Sequence, residues 1–287
     1  MKIAAQSIEL LRLIAAPGWR SKALFSFINA MFRIIRPRSK VAMDNIAKAF
    51  PEVSANRHRE ILNGMYANLS WIIVEQLVLQ RDPSMAEKWV DEIEGEEFVK
   101  EALRQKRGMI LTGAHYGNWE LLMAWGAQHG YPIYALARGP DDPDVDKLLE
   151  RYRGNCGLKV LDRRTDAAKT IKLVRLLKAG NFIVIAGDVH EIDGIDLPFF
   201  GRNCKTPTGA ASLALLADVP LVPYFLFRKA PFSHKAVIGE AISVPQNGTR
   251  KERIDAMTSE ISKCIENAVR LEPSLWFWVH KRWKNDI

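Results

Sequence analysis

The segment Gly113-Ala114-His115-Tyr116-Gly117-Asn118-Trp119-Glu120 sets an imidazole and a carboxylate five positions apart. On one continuous helix, five positions turn through about 500°, so the two side chains would point to different faces. The spacing works if His115 lies in a strand-to-helix loop and Glu120 in the first turns of the helix that follows. Glycines at 113 and 117 permit so tight an entry. Glu120 can then accept a hydrogen bond from one imidazole nitrogen and leave the other as a general base. That is the orienting logic of a triad without its serine, so the nucleophile would be a hydroxyl on the substrate. A histidine in such a turn can equally do no more than satisfy backbone groups, and a lone His–Glu pair does not decide between the two.

The elements that must hold these groups follow from pattern. Met109–Thr112, Pro132–Ala137, Leu158–Leu161, Phe182–Ala186, Pro220–Phe227 and Lys235–Ile238 are short apolar runs that read as strands. Asn118–Gln128, Val145–Arg153, Asp166–Lys178 and Arg250–Leu271 read as helices between and after them. Thr206-Pro207 reads as the capped start of another helix whose apolar body is Ala210–Ala217. Residues 41–80 read as helical, and so do 85–107, with Gly95 as a break. The alternation predicts an α/β fold with a single sheet flanked by helices. Open α/β sheets bind ligands beyond the carboxyl ends of their strands. That rule brings His115, Arg138 and Asp188 to one rim.

Composition narrows the function classes. The chain has 287 residues, 48% of them hydrophobic and 26% charged, which excludes a disordered polypeptide. No apolar run reaches the roughly 18–20 residues of a confident membrane span, which excludes an integral bundle. Cys156, Cys204 and Cys264 are scattered and form neither a disulfide framework nor a CxxC pair. GxSxG, GxxxxGK[ST], GxGxxG and HExxH patterns are missing, and Asp188–Asp196 does not match a calcium loop. No metal site and no nucleotide cofactor is therefore expected.

The net charge of +8 is uneven. Residues 1–40 carry Lys2, Arg12, Arg20, Lys22, Arg33, Arg36, Arg38 and Lys40 against the single acid Glu9, leaving the rest almost balanced. Within this strip, Ile3–Ala16 and Ala23–Ile35 read as helices, with Trp19-Arg20 between them. Two ordinary core helices would share this pattern. A signal peptide fits poorly because Arg12 interrupts the first apolar stretch. A nucleic-acid arm fits poorly because the strip is too apolar, and no nucleic acid partner is expected. The preferred reading is a membrane-associating segment, residues 1–40, that faces anionic lipid and precedes a catalytic domain over residues 41–287.

Taken in order, several segments resemble one family. The His115–Glu120 block is similar to the H-x4-D/E motif of glycerolipid-type acyltransferases. Asn45-Ile46-Ala47-Lys48-Ala49-Phe50-Pro51-Glu52, Tyr66 to Glu75, Arg138 with Pro140, Gly187-Asp188, Leu197-Pro198-Phe199-Phe200-Gly201 and Trp276–Lys284 extend the likeness over nearly the whole chain. Together they resemble the bacterial lipid A biosynthesis acyltransferases, the lauroyl and myristoyl transferases. The resemblance implies a glycerolipid-acyltransferase-like fold and transfer of a fatty acyl chain from a thioester to a hydroxyl of a lipid A precursor. The co-substrate would be a thioester of acyl carrier protein or of coenzyme A, with no other cofactor. His115 would be the base and Glu120 its orienting carboxylate. Arg138, with Arg151 or Arg153, would meet phosphate or sugar groups of the lipid acceptor. Asp188 would position the acceptor or a basic neighbour, and Phe200 and Gly201 would shape the site unless they are ordinary turn packing. The aromatic-basic run from Trp276 reads as core plus solvated charge, with the lipid interface as a second possibility. The implied place is the cytoplasmic face of the inner membrane, peripheral or held by a single N-terminal anchor. Two alternatives stay open: an acyltransferase for another glycolipid or an aminolipid, and a non-catalytic peripheral lipid-binding protein.

Overall fold

Met109-Ile110-Leu111-Thr112-Gly113 is buried along its whole length, as a strand covered on both faces must be. Everything else in the computed structural model, which describes residues 2–137, 139, 142–162 and 167–284, is arranged around it. In chain order the elements are α1 (Lys2–Ile14), α2 (Trp19–Ile35), α3 (Ser39–Ala49), α4 (Ala55–Leu79), α5 (Met85–Trp89), β1 (Val90–Glu94), α6 (Glu96–Arg104) and β2 (Met109–Gly113). There follow α7 (Trp119–Gln128), β3 (Ile133–Ala137), α8 (Pro143–Asn155), β4 (Lys159–Asp162), α9 (Ala167–Lys178), β5 (Phe182–Ala186) and the hairpin β6 (Ile195–Phe199) and β7 (Arg202–Thr206). The chain continues through α10 (Gly209–Ala217), β8 (Leu221–Ala230), β9 (Ser233–Ile238), α11 (Arg250–Leu271) and a 3-10 turn at Pro273–Leu275.

Seven strands form one sheet in the order β1-β9-β8-β2-β5-β3-β4. All neighbours run parallel except β8 and β9. Side chains alternate across it. Ile110, Ile183, Leu221 and Phe225 pack toward α9, α10 and α11. Leu111, Val184, Val222 and Tyr224 pack toward α4, α5, α6 and α7. Strand β2 sits between β5 and β8, so the loops leaving β2 and β5 emerge side by side.

Two expectations need correction. Residues 90–94 form a strand rather than helix because they pair in parallel with β9, with an irregularity in register between Val90 and Glu92. Its charged outer positions suit a sheet edge. Thr206 does not cap a helix. It ends β7, and α10 starts at Gly209 after Thr208, which makes no side-chain capping bond.

The basic strip folds onto the body. Leu24 and Ile28 of α2 are buried, Phe25 stacks on Trp71 with ring centroids 4.4 Å apart, and Phe32 stacks on Tyr66 at 5.6 Å. The opposite side leaves Leu10, Leu13, Ile14, Trp19, Phe27, Met31, Ile34 and Ile35 exposed. Among the described residues, no helix is long and apolar enough to cross a membrane.

Candidate active site

Strands β2 and β5 pair in register from Met109↔Phe182 to Gly113↔Ala186, and the Gly187 N–H extends the ladder to the Gly113 carbonyl at 2.8 Å. Counting on two residues from the last pair brings His115 opposite Asp188. The backbone N–H of His115 donates to Asp188 Oδ2 at 2.9 Å, and the ring Nδ1 meets Asp188 Oδ1 at 2.9 Å. The Asp188 side chain is fully buried and the His115 ring about one-third exposed, at 32%. Trp119 stands edge-on to the imidazole at 5.2 Å, and Phe277 lies tilted at 6.1 Å. Gly117 makes the turn into α7 at φ 58°. A Cβ there would fall 1.7 Å from the Leu226 carbonyl, so only glycine fits. Asn118 caps α7 by accepting from the Leu121 N–H at 3.1 Å.

Burial alone would push the Asp188 carboxyl up, but the adjoining His115 and the hydrogen bonds it donates outweigh that and hold it well below the usual carboxylate range. An ionised Asp188 accepts only. It therefore fixes the proton of neutral His115 on Nδ1, and Nε2 carries the lone pair.

The carboxylate that meets the His115 ring is thus Asp188 and not Glu120. Glu120 does lie in the first turn of α7, but it receives Arg153, with Nε at 3.1 Å from Oε2 and Nη2 at 2.5 Å from Oε1. Glu120 and Arg153 thus tie α7 to α8, and Arg153 faces a protein carboxylate rather than an acceptor. Arg151 points away from Arg153, pairs with Glu9 of α1 and is 57% exposed. Arg138 lies outside the described residues. Phe200 and Gly201 form the β6–β7 turn, with φ of 52° and 70°, the positive values a tight two-residue hairpin uses. The Phe200 N–H donates to Glu266 at 2.6 Å, and its ring meets Phe50 at 5.1 Å and the Arg270 guanidinium at 4.4 Å. These are contacts of hairpin packing. Among the described residues no cluster of His, Cys, Asp and Glu is arranged to hold a metal ion.

A sequence profile of the bacterial lipid A biosynthesis acyltransferases matches residues 7–285. The chain belongs to that family. The acyltransferase is 25% identical over 265 residues to the lipid A biosynthesis lauroyltransferase of Escherichia coli K12, covering 88% of this chain and 81% of that one. It is 26% identical over 264 residues to the palmitoleoyltransferase of the same organism, covering 90% and 82%. A phosphatidylinositol mannoside acyltransferase of Mycolicibacterium smegmatis is 22% identical over 189 residues, covering 65% and 60%.

Sequence reasoning missed two supports of the His115–Asp188 cluster. One is a buried network on α4 and β8. Glu75, which is fully buried, accepts from Asn118 Nδ2 at 2.8 Å, from Arg228 Nη2 at 2.9 Å and from Arg228 Nη1. Arg228 Nε also donates to Asn68 at 2.9 Å, and Asn68 reaches the Gly117 carbonyl at 3.4 Å. The loop holding His115 is thereby fixed from below. The other support is the C-terminal run. Arg282 was expected in solvent but is 1% exposed, donating to the carbonyls of Val189 at 3.0 Å and Lys205 at 2.9 Å and to the Thr206 hydroxyl at 2.8 Å. Arg282 lies seven positions beyond the last helical turn, in a stretch with no helical or strand pattern to mark it as buried, so only the fold shows it.

Proposed function

We propose that this acyltransferase moves a fatty acyl chain from a thioester of acyl carrier protein to a hydroxyl of a lipid A precursor. The observation that carries the reading is the His115 Nδ1–Asp188 Oδ1 contact of 2.9 Å at the sheet rim, in a chain of this family. His115 Nε2 takes the proton of the acceptor hydroxyl as its oxygen attacks the thioester carbonyl carbon. The tetrahedral intermediate collapses with cleavage of the C–S bond, and the imidazolium returns its proton to the leaving thiolate. One ester and one free thiol result. Asp188 keeps the ring in the productive tautomer and stabilises the imidazolium while it exists. Trp119 and Phe277 wall the ring and restrict water that would otherwise hydrolyse the thioester.

Arg138 and Arg151 are the basic groups proposed for acceptor phosphates, with Arg151 on the open groove between α1 and α8 that Arg12 and Lys147 also line. The exposed apolar side chains of α1 and α2, set among cations, are proposed to rest on the cytoplasmic leaflet of the inner membrane, where the acceptor resides. The deciding experiment pairs the purified protein with lauroyl, myristoyl and palmitoleoyl thioesters, on acyl carrier protein and on coenzyme A, and with a lipid A precursor or a phosphatidylinositol mannoside. Transfer to the lipid A precursor is expected. Transfer only to the mannoside would move the acceptor to the class named by the mycobacterial relative, and no transfer to either would favour a lipid-binding protein without catalysis.

A further inference from the structure

Asp188 is held by more than its histidine. Oδ2 accepts a second hydrogen bond from the indole Nε1 of Trp276 at 2.9 Å, beside the one from the His115 backbone. Trp276 is fully buried. Its ring is fixed edge-on by Trp278 at 4.5 Å, His280 at 5.0 Å and Phe199 at 5.5 Å. Its backbone bridges Tyr116, while the Leu275 carbonyl accepts from Gly117 at 2.9 Å and the Phe277 N–H donates to the His115 carbonyl at 3.0 Å. The segment thus runs alongside the histidine loop and reaches across it to the acid. His280 Nε2 lies 3.1 Å from the Asp188 carbonyl, and Arg282 holds the next carbonyl, that of Val189. The other buried indole of this run, Trp278, instead donates to the Pro273 carbonyl at 2.7 Å.

We propose that Trp276 is a positioning residue for acyl transfer, its indole N–H locking the Asp188 carboxylate in the orientation that receives the His115 ring. The inference rests on the His115–Asp188 reading above. An indole can only donate. With Oδ2 occupied by two donors, Oδ1 is left facing the imidazole. Removing the indole N–H frees the carboxylate to rotate. It also concentrates negative charge on the oxygen facing His115, which holds the ring proton more tightly. Among the described residues, the remaining charged or titratable groups about Asp188 are His280 and Arg282 of the same run and Tyr224 of β8. All of these stay in place in the variant.

The test is Trp276→Phe in the full chain, with Trp278→Phe as the matched loss of a buried indole. Two readouts are taken: transfer kinetics with a lauroyl thioester of acyl carrier protein and a lipid A precursor, and His115 titration by NMR of the labelled histidine. Trp276→Phe is expected to lower kcat about ten- to hundredfold, the factor one charge-assisted hydrogen bond carries. KM should stay within about twofold, and the His115 titration should move to higher pH. Trp278→Phe is expected to leave that titration in place. A folded Trp276→Phe with unchanged kcat and titration overturns the proposal, and so does an equal shift in Trp278→Phe. If Trp276→Phe does not fold, the wild-type indole proton decides. It should move with the His115 titration, and a resonance indifferent to that titration overturns the proposal. Full activity in Asp188→Asn would instead sink the underlying His–Asp reading, whereas an inactive Asp188→Asn beside an unaffected Trp276→Phe sinks this inference alone.

Discussion

His115→Ala should lower transfer by roughly 10²–10⁴-fold, the usual contribution of a positioned base, with the far-ultraviolet circular dichroism unchanged. The distinguishing comparison is between the two carboxylates. Asp188→Asn removes the acceptor that fixes the ring tautomer and should approach the loss in His115→Ala. Glu120→Gln still accepts from Arg153 and should cost less than about tenfold. A larger loss in Glu120→Gln than in Asp188→Asn, read in the same kcat assay, would return the orienting role to the H-x4-E spacing. That spacing was legible because both residues lie in one short segment. The partner that the structure supplies lies 73 positions away. Nothing in the local pattern around Gly187-Asp188 says which strand β5 lies beside, and pairing between non-consecutive strands is what decides the contact.

Helix α4 does more than cover the sheet, because Glu75 and Asn68 project from it to hold the Gly117-Asn118 turn through Asn118 and the Gly117 carbonyl. Glu75→Ala would leave the Arg228 guanidinium buried without its carboxylate. A loss of about 3–5 kcal/mol in urea unfolding is expected, and replacing Arg228 by Met as well should recover part of it. Elements with strong local signatures were readable in advance. Phe182–Ala186 and Arg250–Leu271 match β5 and α11, the first as a solid β-branched and aromatic run, the second behind a Thr249–Glu252 capping box. Strand β1 was hidden because Val90-Asp91-Glu92-Ile93-Glu94 is acidic and lies between two helices, and only β9 makes it a strand. The β6–β7 hairpin was hidden because its turn is Phe200-Gly201, and a phenylalanine at positive φ is not a residue that turn rules anticipate.

For the molecule entire, two further outcomes follow. The Glu75 carboxyl is lowered from 4.5 to about 2, with burial opposing and the Arg228 charge prevailing. A depressed carboxyl pKa contributes stability that is complete above the unfolded value and fades as pH falls from near 4.5 toward 2. The urea midpoint of the native protein should therefore drop between pH 5 and pH 3 by more than that of Glu75→Gln, with both measured in the same buffer series. The exposed apolar strip on α1 and α2 should bring the protein to vesicles rich in anionic phospholipid. Cosedimentation is expected to fall at least about tenfold when Leu13, Ile14, Phe27 and Ile34 are all replaced by Ser, and to weaken as salt rises. Finally, the segment bearing Trp276 and Arg282 leaves the ribosome long after β2 and β5 have emerged. A nascent polypeptide can thus pair those strands while its acid and base are still unclasped, and competence for transfer waits on translation reaching the tryptophan. Premature stop codons just downstream of α11 should accordingly yield proteins that retain His115 and Asp188 yet acylate nothing.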